Sequence, residues 1–150
     1  MPDIVHRVAI MAPPSRVYRA IATRSGLINW WTWHVTGEPA SGRVVRVRFA
    51  RGEAGMEMRE LTPDTRVVWR CVSGPAEWID TEISFSLVPT EAAGGRETVI
   101  LFSHKGWREA GEFMAHCNTE WAYFLLSLKG WVEDGRGTPF PENRKISAWG

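Results

Sequence analysis

The pattern that most constrains the fold lies in the last third of the chain, between Gly106 and Gly135. Apolar residues recur there at the spacing of an α-helix and form one stripe. The members of this main stripe are Met114, Cys117, Trp121, Leu125, Leu128 and Val132. A second stripe beside it consists of Phe113, Phe124 and Trp131. One stripe is enough to anchor a helix to a sheet, so the second is predicted to cover a further surface, line a hollow or meet a partner.

The length of 150 residues fits a single domain, predicted over residues 1–150, with enough chain to bury a substantial core. Residues 136–150 contain Pro139 and Pro141, and they are predicted to form a docked tail. A net charge of +1 gives no support for nucleic-acid binding. Arginines do cluster in one segment, but glutamates follow at once and are expected to pair with them across a hairpin. These residues are Arg43, Arg46, Arg48 and Arg51, then Glu53, Glu57 and Glu60.

The two cysteines, Cys71 and Cys117, fit no metal or redox spacing and are predicted to be small buried residues. The start of the chain lacks the pattern of a signal peptide, and no stretch approaches the ~20 apolar residues of a membrane span. We therefore expect a cytoplasmic protein.

Before the long helix, most of the chain alternates like β-strands. Ile4 to Ile10 is a predicted first strand, and Pro13 and Pro14 end it. Two short helices are expected next, the second capped by Thr23 or Ser25. About six further strands precede the helix, separated by glycine- and proline-containing turns. The order predicts an α+β helix-grip fold, in which a curved antiparallel sheet of six or seven strands surrounds the C-terminal helix.

Four segments resemble one known family in the correct order along the chain. They are Ala12-Pro13-Pro14-Ser15-Arg16-Val17-Tyr18, the pair Trp30-Trp31, the hairpin from Glu60 to Trp69, and the helix pattern Trp121, Leu125, Leu128, Lys129, Val132, Glu133 and Gly135. They resemble the START-like SRPBCC superfamily, in the branch related to the C-terminal domain of Hsp90 ATPase activators. The resemblance implies a hydrophobic pocket for a small molecule. It does not imply one reaction, since members include binders, carriers, cyclases and chaperone regulators.

One departure from the family pattern concerns the pocket entrance. Members often have glycine before the helix tryptophan, whereas this chain has Glu120. His116 lies one turn away on the same helix, and the two could form an acid–base couple. No third ligand accompanies them, so we predict neither a metal nor a cofactor, and we expect a partly exposed ion pair. His104 extends the inward face of the last strand and is a candidate base or ligand partner, although a histidine satisfied by backbone groups is the simpler expectation.

Large aromatic and thioether side chains provide the strongest indication of function. If the strand phases are as assigned, they converge between sheet and helix, where ligand pockets often lie. With the two polar candidates included, the predicted ligand-binding set is Trp31, Met56, Met58, Trp69, Trp78, Phe85, His104, Phe113, Glu120, Trp121 and Phe124. Ordinary core packing is the alternative role for each of these side chains.

Three functions remain open at this stage. The first is a protein that binds a hydrophobic small molecule, lipid-like or aromatic, without catalysis. The second is an enzyme of the cyclase or hydratase kind, in which His104 or Glu120 moves a proton. The third is a chaperone-regulating or homodimerising interaction module. The absence of a convergent acid–base pair argues against the enzyme, and the lack of a separate partner-binding region weakens the interaction module.

Overall fold

The computed structural model describes residues 1–150, apart from the side chains at positions 93 and 95. One strand and two short helices are followed by six strands and one long helix. The strands are β1 (Ile4–Ile10), β2 (Val35–Thr36), β3 (Val44–Phe49), β4 (Gly52–Thr62), β5 (Arg66–Ser73), β6 (Glu82–Thr90) and β7 (Glu97–Lys105). The helices are α1 (Pro14–Ala22), α2 (Arg24–Trp30) and α3 (Glu112–Asp134), with a short 3₁₀ turn over Ala92–Gly95.

All seven strands form one antiparallel sheet in the order β1-β7-β6-β5-β4-β3-β2. Strands β2 to β7 are a meander, and β1 pairs with β7 at the far edge, where Ile4 faces His104. The register of β4 against β5 shifts near Gly55 and again near Glu60. Such bulges add local bend and twist. The curved sheet and the C-terminal helix confirm the predicted α+β helix-grip architecture.

The inner face of the sheet carries the alternating apolar residues. On β7, Thr98, Ile100, Phe102 and His104 are all buried, as the period of two requires. The outer face of the same strand exposes Leu101. The inner face therefore meets α3, and the core lies between them.

Helices α1 and α2 meet at a close backbone contact. Pro14 occupies the first turn of α1, and the hydroxyl of Thr23 caps α2 by accepting a hydrogen bond from the Gly26 backbone N–H at 3.0 Å. A Cβ atom at Gly26 would lie 2.5 Å from the Ala20 carbonyl oxygen. The indole N–H of Trp30 donates to the same oxygen at 2.8 Å. Glycine is required here because the two helices approach too closely for any side chain.

Helix α3 lies within the predicted segment from Gly106 to Gly135, and it is followed by Gly135, whose φ of 72° is the left-handed conformation that glycine favours. The main stripe is buried except for Met114, which is half-buried. The second stripe divides: Phe124 is buried in the core, whereas Phe113 and Trp131 are partly exposed.

Residues 136–150 run back along α3 and α2. The backbone of Phe140 bonds to both neighbours of Thr32, with its N–H donating to the Trp31 carbonyl at 2.9 Å and its carbonyl accepting from the Trp33 N–H at 3.0 Å. Further along, the Arg144 N–H donates to the Tyr123 hydroxyl at 3.0 Å. These contacts lay the tail beside the N-terminal half of α3.

Among the helices in the described part of the chain, none combines the length and the apolar character that a membrane crossing requires.

The helix phase makes a prediction about stability. Leu125 is fully buried in the core, so Leu125→Ala should lower the free energy of unfolding by about 2 to 5 kcal/mol. The adjacent Leu126 is 61% exposed, and Leu126→Ala is the matched control with little effect. Urea denaturation of both variants measures the difference. Equal midpoints for the two would contradict the packing of α3.

Candidate ligand-binding cleft

A cleft of about 510 Å³ opens where the β3–β4 turn faces the N-terminal half of α3. The turn supplies residues 49–54, the loop after β5 supplies residues 74–78, and the tail closes the remaining side. Helix α3 contributes Phe113, His116 and Glu120, which lie at successive three- and four-residue steps on one helix face. The cleft thus combines one rigid wall with three walls built from connecting segments.

A second cleft of about 530 Å³ lies next to the first. Both clefts are lined by Ala76, Glu77, Phe113 and Trp149. The indole of Trp149 meets the Phe113 ring edge-on, with centroids 5.8 Å apart. The tail therefore places one aromatic side chain at the boundary between the two clefts.

Arg51 lies against this aromatic boundary. Its guanidinium carbon is 5.2 Å from the centroid of Phe113 and 5.7 Å from that of Trp149. Cation–π attraction at such distances favours this position of the exposed arginine. The cleft wall thus carries a positive charge beside aromatic rings.

His116 links α3 to the tail. Its Nδ1 is 2.8 Å from the hydroxyl of Ser147, and its Nε2 is 3.6 Å from a carboxyl oxygen of Glu120. Burial, and secondarily the charge of Arg51, lowers the pKa of His116, so the imidazole is neutral at neutral pH. The expected pairing of His116 with Glu120 is present as a contact, with Glu120 partly exposed. His116 itself is buried, contrary to the expectation, because the tail covers it, and burial disfavours the charged form that an ion pair needs.

Glu120 faces the cleft from the same helix. Burial raises the pKa of its carboxyl to about 7, because removal from water disfavours the charged form. Both the protonated and the ionised form are therefore accessible near neutral pH. A carboxyl in that state can either donate or accept a hydrogen bond, and it can accept or release a proton near neutrality.

His104 lies outside the cleft, fully buried in the core. The indole N–H of Trp121 can only donate, so His104 Nδ1 accepts its bond at 3.1 Å and the ring proton is on Nε2. Nε2 lies 2.7 Å from the Thr81 hydroxyl, which donates to the Trp78 carbonyl at 2.5 Å. Side chains rather than backbone groups satisfy this histidine. Both ring nitrogens are occupied, and burial lowers its pKa to about 3.

The predicted site residues separate into two groups. Trp78, Phe113 and Glu120 line the cleft. The other eight are packed in the core and do not line it: Trp31, Met56, Met58, Trp69, Phe85, His104, Trp121 and Phe124. Phe124 does not border a hollow, because its ring packs against that of Phe49 with the centroids 6.0 Å apart. Any direct ligand contact by these eight stays a prediction.

Sequence reasoning missed several cleft residues, among them Phe49, Arg51, Phe140 and Trp149. Phe140 and Trp149 are isolated aromatic residues in an otherwise polar tail. That isolation was a readable signal, since a solvated tail has no need of them. Among the described residues, no three His, Cys, Asp or Glu side chains converge as metal ligands.

The architecture and the cleft at one end of the sheet define a protein of the helix-grip class. The sequence profile of the family described as Activator of Hsp90 ATPase homolog 1-like protein matches residues 11–133, and the chain belongs to this family. No curated protein is significantly similar to the chain in sequence.

Solved structures show the same fold. The Aha1 dimer from Colwellia psychrerythraea is 40% identical with a TM-score of 0.83, over 91% of this chain and 100% of that one. DynU16, a putative protein in the dynemicin biosynthetic locus, is 19% identical with a TM-score of 0.76, over 92% of this chain and 49% of that one. The protein SSP2350 from Staphylococcus saprophyticus is 16% identical with a TM-score of 0.72, over 91% of this chain and 95% of that one. At these two lower identities the likeness concerns the fold alone.

The buried His104 makes a prediction about pH. Its pKa is about 3 in the folded state and about 6.5 in the unfolded chain. Below the unfolded value only the unfolded state takes up the proton, so the contribution of His104 to stability is complete above about pH 6.5 and is lost as the pH falls towards 3. His104→Gln should therefore flatten the loss of stability in acid.

Urea denaturation of wild type and His104→Gln at a series of pH values checks this slope. The comparison is needed because Glu120, with its raised pKa, acts in the opposite direction: it stabilises the fold as the pH falls below about 7. Identical slopes for the two proteins would show that His104 is not buried as a neutral side chain.

Proposed function

We propose that this protein binds a hydrophobic small molecule, lipid-like or aromatic, in the cleft between the β3–β4 turn and α3. The observation that carries the proposal is an aromatic-walled cleft of about 510 Å³ with a small group of polar side chains on one side. Ligand sites typically have this volume and this mixture. The family resemblance supports the same reading, since it implies a hydrophobic pocket for a small molecule.

The position of the cleft differs from the one expected from the sequence. The centre of the helix grip is filled by aromatic side chains, so the ligand is proposed to bind at the end of the sheet. Trp78 and Phe113 would supply apolar contact there, and Glu120 would supply a hydrogen-bonding group.

Phe113→Ala tests the cleft directly, because Phe113 is on its wall and only partly buried. We expect the variant to bind the uncharged fluorescent probe N-phenyl-naphthylamine about tenfold more weakly, since an aromatic contact of roughly 1.4 kcal/mol is removed. Fluorescence titration measures the affinity, and thermal denaturation confirms that the variant is folded.

Trp33→Ala is the matched control, since Trp33 is about half exposed and lies outside the cleft. Its probe affinity should equal that of the wild type. If Phe113→Ala binds the probe as well as Trp33→Ala does, the proposed binding site is wrong.

An enzyme that transfers a proton is the second candidate, favoured by one observation. Glu120 combines access to the cleft with a pKa of about 7, which is the range suited to a general acid or base at neutral pH. Exchange of a ligand's α-hydrogen with solvent deuterium, dependent on Glu120, would distinguish this enzyme from a binding protein.

We also propose that the chain forms a homodimer in a cytoplasmic setting. The 40% identical relative is described as a dimer. The outer face of the sheet exposes three large apolar side chains, Val5, Val88 and Leu101, on the neighbouring strands β1, β6 and β7. Sedimentation over a range of concentrations decides between monomer and dimer.

A further inference from the structure

Arg51 differs from its neighbours on the same hairpin. Arg46 and Arg48 both lie within 4.0 Å of a Glu53 carboxylate oxygen, at 4.0 Å and 3.7 Å. This confirms the predicted pairing across the hairpin for those two. Among the described side chains, no carboxylate lies within 4.0 Å of the Arg51 guanidinium. Arg51 instead turns onto the aromatic boundary of the cleft.

None of the other described titratable side chains on the cleft wall forms an ion pair with Arg51 within 4.0 Å. Glu53 on β4 is shared between Arg46 and Arg48. Glu77 is exposed on the loop after β5. His116 on α3 is buried and the neighbouring Glu120 is partly buried, and burial disfavours the charged form of each. The described tail residues on the wall, Phe140, Asn143, Trp149 and Gly150, bring no side-chain charge.

The cleft therefore combines an arginine that has no salt-bridge partner among the described side chains with aromatic walls. An arginine that lies over aromatic rings presents its N–H donors to an incoming anion. Glu120 lines the same cleft from α3, and its carboxyl can donate a hydrogen bond when it is protonated. Aromatic walls accept an apolar body.

We propose that the ligand of this cleft is an apolar carboxylic acid, whose carboxylate is bound by Arg51 and hydrogen-bonded by Glu120 while its hydrocarbon or aromatic body lies on Phe113 and Trp149. The inference rests on the proposed function and adds the chemical class of the ligand to it.

Binding of such an acid has a definite pH dependence. A second carboxylate beside Glu120 favours the protonated form of Glu120, because two like charges cannot be held together at low cost. Below about pH 7 Glu120 already carries that proton and donates to the ligand. Above about pH 7, the ionised Glu120 repels the carboxylate of the ligand unless Glu120 takes up a proton. The affinity for the acid should fall as the pH rises through neutrality, and the affinity for an uncharged analogue should not.

The experiment compares naphthoic acid with naphthamide, which has the same ring and shape but no charge. Calorimetric titration is carried out at about pH 6 and about pH 8, either side of the Glu120 transition. Wild type should prefer the acid by about tenfold or more at the lower pH, the size of one charge-assisted hydrogen-bonded contact. The preference should shrink at the higher pH.

Three variants test which residues produce the preference for the acid and its pH dependence. Arg51→Gln should abolish the preference for the acid and leave the amide bound as before. Arg48→Gln is the matched control, since it removes a charge from the same hairpin outside the cleft, and it should keep the preference. Glu120→Gln imitates the protonated carboxyl, so it should keep the preference at both pH values and lose the pH dependence.

The outcomes separate the two proposals. Equal affinity of the wild type for acid and amide, or an undiminished preference in Arg51→Gln, overturns the carboxylate site while binding in the cleft stands. Failure of acid, amide and N-phenyl-naphthylamine alike to bind the folded wild type overturns the proposed function itself.

Discussion

The structure depends on a set of indole rings that join the sheet to the helices. Trp31, at the end of α2, stacks on Trp69 of β5 at a centroid distance of 5.0 Å and on Trp121 of α3 at 5.7 Å. Trp121 in turn lies 4.6 Å from Phe102 of β7. One residue thus contacts two layers of the fold at once, and large aromatic contacts of this kind contribute strongly to a core. Because these rings fill the space between the sheet and α3, the candidate cleft lies at the end of the sheet.

The fold could be predicted from local sequence patterns, as strand β7 and helix α3 show. The period of two on β7 and the stripe on α3 each identify an inward face, and both faces are buried as expected. The glycine at the end of α3 and the threonine cap of α2 mark their boundaries because their backbone and hydroxyl chemistry is local. The strand Val35–Thr36 has only two residues, too few for an alternating pattern to be recognised in the sequence.

The cleft was less accessible to sequence reasoning. The alternation of apolar residues along a strand shows on which face of the sheet Met58 or Trp69 lies. It does not show whether the side chain opposite fills the space or leaves a cavity. Packing decides that question, and here the rings meet. The burial of His116 depends on Ser147 and Trp149, residues about 30 positions away, which no helical projection includes. Arg51 belongs to a tight turn, where periodicity carries no information.

The division between a filled centre and an open end has a consequence for how such a chain can diverge. Three of the four cleft walls are a turn, a loop and a tail, whose exposed residues can be exchanged at little thermodynamic expense. The indole layer tolerates few changes, because each ring supports several others. Selection for a new ligand would therefore act on exposed positions such as 51 and 76 without eroding the fold. Homologous chains that share this scaffold can differ in specificity while their folding remains almost the same.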